Sequence, residues 1–454
     1  MAFLQQIANK FRPRLPNQET HAPPESVGYG TFFGVYLPSI LSIFGVIMYL
    51  RLGVILGKLG LVPTLSIVIL SSLITFLTSL SISSISTNMK VEKGGAYYMI
   101  SRCLGIDFGT ALGIPIYLAQ AIGIAFYLLG FSETLCASFP ELNSVYVSIV
   151  TLLVLGILGF FSTTIVLKTQ LLIFLVIIAS LCSVFFGNPI PYSTMEPVGR
   201  MGYWTGFAIF FPAVTGILSG VSMSGDLKDP RKSLPLGTIG AVLTGFVVYV
   251  LLVLFLWSSV PRQLLVKDTM ICEHIARYGS LVILGIWGAT LSSALGSILG
   301  APRTLQALAE DGIVFKFLGK SIGKNKEPKI ASLFTIVLTA CFLFFGKIDS
   351  VAPILTMFFL ISYCILNLVA GIETLMHNPS WRPSFTMKPW VYFTGAILCL
   401  IGMFMINAGA TFLSLLIVLS IYFFRGRKLS SNWEDICFAI LMQVTKSTAY
   451  RLKT

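Results

Sequence analysis

Long apolar stretches separated by short polar punctuation run from about residue 36 to residue 424. A helix takes ~20 apolar residues to cross a bilayer. The pattern predicts spans near 33–58, 63–86, 109–133, 145–167, 169–187, 204–226, 236–257, 281–304, 330–346, 350–375, 389–407 and 410–424. These runs are too long and too continuous for barrel strands, which alternate every second residue over ~10 residues. The expected class is an all-α polytopic membrane protein with 12 transmembrane spans. Residues 1–30 are polar and read as a solvated cytoplasmic tail, with no cleavable signal peptide expected. The loop "TNMKVEKGGAYYMISRCLG" predicts a short interfacial helix, and the basic tail 425–454 carries one amphipathic stretch, "DICFAILMQVTKSTAYRL".

Five spans precede the polar loop near residue 195, and five more follow it. An odd number of spans per unit inverts the second unit, and substrate then sits where the two first helices meet at mid-membrane. The predicted units are 31–187 and 204–375, with 389–424 added as spans 11 and 12. The first helices should share features, and they do. Span 1 reads "PSILSIFGVIMYLRL" and span 6 reads "FFPAVTGILSGVSMSGD". Each has a Pro, then a small hydroxyl residue, then Gly45-Val46-Ile47 or Gly216-Ile217-Leu218. Gly and Pro are common in membrane helices, so either one alone would mean little; matched positions in two half-units point to paired helix breaks.

A broken helix frees carbonyls on one side and amides on the other. Carbonyls attract cations, and amides at the positive dipole end attract anions. Such backbone is tolerated at membrane depth only where it lines a cavity. Each break therefore offers a cation seat beside an anion seat without a charged side chain.

Composition agrees. Of 454 residues 56% are hydrophobic and 11% charged, against roughly a quarter charged in soluble domains. The net charge of +13 reads as Lys and Arg in cytoplasmic loops rather than as a nucleic-acid surface. With the N-terminus inside, Lys10, Arg12, Arg14, Lys90, Lys93, Arg102, Lys228, Arg231 and Lys232 fall on that side, as do Lys316, Lys320, Arg425, Arg427 and Lys428. Both termini are expected to be cytoplasmic, in an inner or plasma membrane. Cys182, Cys341, Cys364 and Cys399 read as buried small hydrophobes, whereas Cys136 and Cys272 fall in outside loops.

Embedded charge is scarce. Arg51 and Glu133 are the exceptions, and an embedded charge is usually paired, so they form an expected outer pair. His21, His274 and His377 lie in loops or tails, which argues against a proton relay. Asp226 and Asp229 read as caps after span 6. No nucleophile–base set or metal cluster is evident, so no enzyme and no cofactor is expected. Thr290, Ser292 and Ser293 stand together in apolar span 8. They could bond the preceding turn's carbonyls, or complete an oxygen shell for a hard cation.

At these motifs the chain resembles the cation-chloride cotransporters, within the amino acid-polyamine-organocation superfamily, over nearly all of residues 30–445. "GVYLPSILSIFGVIMYLRL", "KGGAYYMISRCLG", "FYLLGFSETL", "FAIFFPAVTGILSGVSMSGDLKDP", "ATLSSALGSILGAP", "VAPILTMFFLISYCILN" and "WRPSF" carry it. The resemblance implies a leucine-transporter-type 5+5 inverted repeat plus two helices. It implies potassium at Tyr127, Pro212, Thr215 and the carbonyls of Ser42 and Ile43. The upper chloride matches the amides of Gly45, Val46 and Ile47; the lower matches Gly216, Ile217 and Leu218 with Tyr363. Sodium matches Leu41, Phe44, Ala289, Ser292 and Ser293, and Arg51 with Glu133 matches the outer gate.

Branch signals diverge: the serine pair favours sodium coupling, while "GVYLP" is more like the potassium-chloride branch. Ser42 stands where much of the family has Asn, and Phe44 where sodium-coupled members often have Trp. The family's large outside loop and long cytoplasmic regulatory domain have no counterpart here, which fits a compact prokaryotic member. A homodimer is one implied assembly. The expected activity is alternating-access symport of sodium, potassium and chloride. The alternatives are potassium-chloride symport, an amino-acid permease crowded out by Ile43, Phe44, Ile47 and Tyr127, and a non-transporting modulator of related transporters.

Overall fold

The computed structural model describes residues 28–88, 97, 98, 101, 106–161, 163–190, 199–222, 224–320, 328–344, 346–376 and 381–426. Among them every regular element is helical, apart from one isolated bridge between Tyr29 and Leu227. The N-terminal tail, the amphipathic C-terminal stretch, His21, His377 and most of the expected interfacial helix lie outside the described residues.

The first span is built in pieces. A π turn at Phe32–Tyr36 leads into α1 (Leu37–Ile43), followed by α2 (Val46–Leu50) and α3 (Leu52–Leu59). Gly60, at φ 87°, closes α3; a side chain there would be strained, and glycine is not. The chain then continues through α4 (Leu61–Asn88), α5 (Ile106–Ser138), α6 (Ser144–Phe161) and α7 (Thr163–Phe185). The sixth expected span is also divided: α8 (Tyr203–Phe210), a 3-10 turn at Phe211–Val214, then α9 (Ile217–Ser222). After it come α10 (Pro230–Ser259), the short α11 (Arg262–Lys267) and α12 (Ile271–Ile275), and α13 (Gly279–Glu310). Last are α14 (Lys329–Leu343), α15 (Ile348–Met376) and α16 (Pro389–Gly426). Asn407 leaves helical geometry (φ −160°, ψ 103°) and bends α16 where two spans were expected to meet.

Eight of the described helical segments are long and apolar enough to cross a membrane, and three more are shorter apolar helices. Their outward faces are apolar. On α10, Leu243, Val247, Leu251 and Leu254 are exposed at helical spacing, a stripe that water would not favour and lipid tails do. α10 begins at Pro230 rather than near 236, and α13 runs on to Glu310 rather than 304. Polar ends of helices continue past the apolar run that marks a span. Asp229 occupies the N-cap of α10 but makes no side-chain capping bond, with Pro230 as the first helical residue. Two cysteines depart from the expected burial: Cys182 and Cys341 are exposed, whereas Cys364 and Cys399 are buried. Cys136 and Cys272 are both free thiols.

α1 lies in the centre, in contact with α7, α9, α10 and α13, while α5 packs along α13 and α15. Most hydroxyls of α4 are satisfied locally or across helices, while those of Ser71 and Ser72 have no hydrogen-bond partner among the described residues. Ser83 donates to the Ser79 carbonyl (2.6 Å), Ser81 to Asn367 Oδ1 (2.6 Å), and Ser84 and Tyr392 share a 2.5 Å contact. Back-bonding to the preceding turn lets serine sit in an apolar helix without an unpaired donor.

Candidate ion-binding site

Phe44 (φ −82°, ψ 42°) and Gly45 (φ −94°, ψ −153°) leave the helix between α1 and α2. Thr215 (φ −84°, ψ 0°) does the same before α9. Both breaks fall at the glycine motifs, and both are buried. The first-turn amides of Gly45, Val46 and Ile47, and of Gly216, Ile217 and Leu218, have no acceptor within their own helix.

The two breaks pack directly on each other. A Cβ on Gly216 would lie 2.6 Å from the Ser39 carbonyl oxygen and 2.9 Å from the Ser42 Cβ. No side chain fits there, so the glycine is required by close approach of the two backbones. Ser42 Oγ contacts Ser219 Oγ at 3.1 Å and donates to the Pro38 carbonyl at 3.1 Å. The Thr215 hydroxyl donates to the Pro212 carbonyl at 2.8 Å. Tyr127, buried against Phe126, turns toward Ser42, and its ring would lie 3.8 Å from a Cβ on Gly45. Ser42, Ile43, Tyr127, Pro212 and Thr215 thus come together around the two breaks.

A tyrosine hydroxyl holds a carbonyl at each break. Tyr249 of α10 donates to Ile43 O at 2.7 Å, and Tyr363 of α15 donates to Thr215 O at 2.9 Å. Tyr249 was not singled out from the sequence, where it reads as one more aromatic in an apolar run. Tyr363 was, although here its proton goes to a carbonyl.

α13 supplies the third set. The Thr290 hydroxyl back-bonds to the Ile286 carbonyl at 2.8 Å, the ordinary use of a hydroxyl in a membrane helix. Its neighbours differ. Ser293 Oγ reaches across to Leu41 O at 3.5 Å, and the buried Ser292 Oγ has no hydrogen-bond partner among the described residues. Two oxygens that share a hard cation at about 2.4 Å stand about 3.4 Å apart when the angle at the ion is a right angle. Phe44 and Ala289 are fully buried. An orphaned buried hydroxyl costs about 1–3 kcal/mol, which an oxygen-seeking cation would repay.

A charged cluster lies just past the first break. Arg51, 7% exposed, donates through Nη1 and Nη2 to the two Glu133 oxygens at 2.8 and 2.9 Å. Its Nε donates to Asp349 at 2.7 Å. The expected pair is thus a three-residue cluster. Asp349 opens α15 and was missed because an acidic residue in a polar turn reads as solvated. Beside this cluster, α11 and α12 cover α3: Arg262 donates to Gly57 O at 2.6 Å and to Lys58 O at 3.3 Å, satisfying the last carbonyls of that helix. Exposed His274 pairs with Asp268 at 2.5 Å in this cover, away from the breaks.

Comparison with known proteins places the chain in a family. The amino acid permease family model matches residues 34–445. Human solute carrier family 12 member 2 is 32% identical over 90% of this chain and 39% of its own length. Mouse solute carrier family 12 member 1 is 32% identical over 94% of this chain and 46% of its own. Mouse solute carrier family 12 member 3 is 33% identical over 91% and 48%. The chain therefore spans less than half the length of these relatives. Their names are those of solute carriers, not enzymes.

Proposed function

This chain belongs to the amino acid permease family, and from that membership we propose that it is a secondary active cation-chloride symporter that works by alternating access. The observation that carries the reading is the packing of two uncharged helix breaks on one another at Gly216, with no room for a Cβ between them. Opposite charges in neighbouring seats lower each other's cost of leaving water, since the interaction strengthens in a low dielectric. That mutual help is the physical basis of coupling.

We assign potassium to Ser42, Ile43, Tyr127, Pro212 and Thr215. The chlorides go to Gly45, Val46 and Ile47, and to Gly216, Ile217 and Leu218 with Tyr363. Sodium goes to Leu41, Phe44, Ala289, Ser292 and Ser293, and the orphaned Ser292 hydroxyl favours this sodium-coupled branch. The proposed layout is 12 spans in a 5+5 inverted repeat plus two, with both termini cytoplasmic. The bend at Asn407 and the matched breaks support it. Crowding by Ile43, Phe44, Ile47 and Tyr127, each at most 7% exposed, argues against an amino-acid substrate.

Tracer rubidium uptake into liposomes, with sodium and chloride replaced in turn, tests the ion set. Uptake should fall to background in either case. Uptake that needs chloride but not sodium would establish the potassium-chloride reading, and uptake indifferent to chloride would overturn symport with chloride altogether.

A further inference from the structure

The Arg51 cluster lies past the first break on one side, and a small polar-walled space lies beside the breaks on another. Below Tyr127, Thr215 and Leu218 lies a small cavity of ≈ 20 Å³, walled by Gln120, Ser219, Ser222, Gly296 and Ser297. It has room for about one water-sized particle. Gln120 stands seven residues before Tyr127 on α5, about 10 Å of helix rise, on the side away from Glu133. Gln120, Ser219, Ser222 and Ser297 are half-buried, whereas Ser42, Thr215, Ser292 and Ser293 are buried. The cavity therefore lies between the breaks and the membrane face opposite Arg51.

The amide of Gln120 is held in one orientation. Thr304 of α13 donates to Gln120 Oε1 at 3.0 Å, closer than its 3.4 Å contact to the Gly300 carbonyl. A hydroxyl has a single proton, and an amide has one acceptor end and one donor end. With Oε1 engaged by Thr304, the two Nε2 hydrogens are the part of the amide left to serve the cavity. Gly300 keeps the space beside them open: a Cβ there would lie 3.1 Å from Ser222 Oγ and 3.8 Å from Gln120 Nε2. The Ser222 proton is already given to the Ser219 carbonyl at 2.8 Å. Gln120 Nε2 and the Ser297 hydroxyl are then side-chain donors on this wall, and Gln120 brings two hydrogens.

We propose that Gln120 is a transit seat for chloride, taking the anion between the breaks and the membrane face opposite Arg51 through Nε2, with Thr304 as the positioning residue that fixes the amide. This rests on the chloride-symport reading above. A neutral donor suits a transit step, because it lowers the desolvation cost of chloride without holding it as a fixed cation would.

The test is the apparent KM for chloride and for rubidium in liposomes, measured on the full chain. Gln120→Glu and Gln120→Leu should each raise the chloride KM about tenfold, the size of one lost hydrogen bond to an ion, with the rubidium KM changed less than about twofold. Thr304→Val should raise the chloride KM about threefold, since the amide can then turn its oxygen inward. Gln120→Asn keeps a donor and should stay within about threefold, which carries the test if Gln120→Glu does not assemble. An unchanged chloride KM in both Glu and Leu variants, or equal rises for rubidium and chloride, would overturn the proposal. Rubidium uptake by the unaltered protein that ignores chloride would overturn the symport reading, and the transit seat with it.

Discussion

Arg51 and Glu133 are joined by two parallel hydrogen bonds of 2.8 and 2.9 Å, with the guanidinium buried and the carboxylate one-third exposed. A bidentate pair fixes direction as well as distance, so α5 is tied to the kink between α2 and α3 in one orientation. Removing one partner of a buried pair typically costs about 3–5 kcal/mol, because the other charge is left uncompensated. Glu133→Gln should therefore cut transport at least tenfold and lower the unfolding midpoint. Asp349, whose side chain is 54% exposed, belongs to the weak class of about 0–1 kcal/mol. Asp349→Asn should cost twofold or less, and equal losses in the two variants would show that burial does not set the strength of these ion pairs.

Gly216→Ala would place a methyl group 2.6 Å from the Ser39 carbonyl. Backbone on both sides cannot yield cheaply, so uptake should fall to background and thermal stability should drop. Gly30, where a Cβ meets nothing within 4 Å, should tolerate Ala with unchanged uptake. Normal uptake by Gly216→Ala would mean that the two breaks do not need this approach.

Ser292→Ala makes a two-sided prediction. Removing a buried hydroxyl with no partner relieves a desolvation cost, so stability in sodium-free buffer should hold or rise. Sodium-dependent stabilisation and the sodium requirement for uptake should both weaken, and Ser292→Ala with Ser293→Ala should abolish them. Loss of stability without sodium, with sodium dependence intact, would assign Ser292 to packing.

Tyr249→Phe removes the donor to Ile43 O. The freed carbonyl faces the proposed potassium seat, so the rubidium KM should change by about threefold or more while the chloride KM moves less. Equal changes in both would point to general loosening of α1 against α10.

Cys272, in the cover over α3, is buried, and burial pushes its thiol up to about 12, with Asp268 adding to the effect. The thiolate is the reactive form, so maleimide at pH 8 should label Cys272 only after unfolding. The sign for stability follows: the unfolded chain releases this proton near 8.5 and the folded chain near 12, so folding loses support as pH rises through that window. Rapid labelling of folded protein at pH 8 would show that the cover opens.

Much of the site was legible because membrane helices punish irregularity. Gly45 and Gly216 stood out as matched breaks, and Arg51 and Glu133 as charges in apolar surroundings. What escaped was carried by residues whose types are ordinary where they stand. Tyr249 looks like any core aromatic until its hydroxyl meets Ile43 O. Asp349 looks like a turn acid until Arg51 reaches it. Gln120 was passed over because one amide in a long apolar helix is unremarkable without Thr304 opposite. Helix ends differ from the expected spans for a related reason: apolar runs mark the bilayer crossing, whereas Asp229 and Pro230 mark where α10 starts.

Ions in adjacent seats are proposed to move together. This is put to the test in liposomes holding the protein, with an imposed sodium gradient and equal chloride on both sides. A sodium gradient should drive tracer rubidium above its external concentration, and replacing chloride should abolish that accumulation. Rubidium that only equilibrates, whatever the sodium gradient, would contradict coupling through the Ser292 and Ser293 seat.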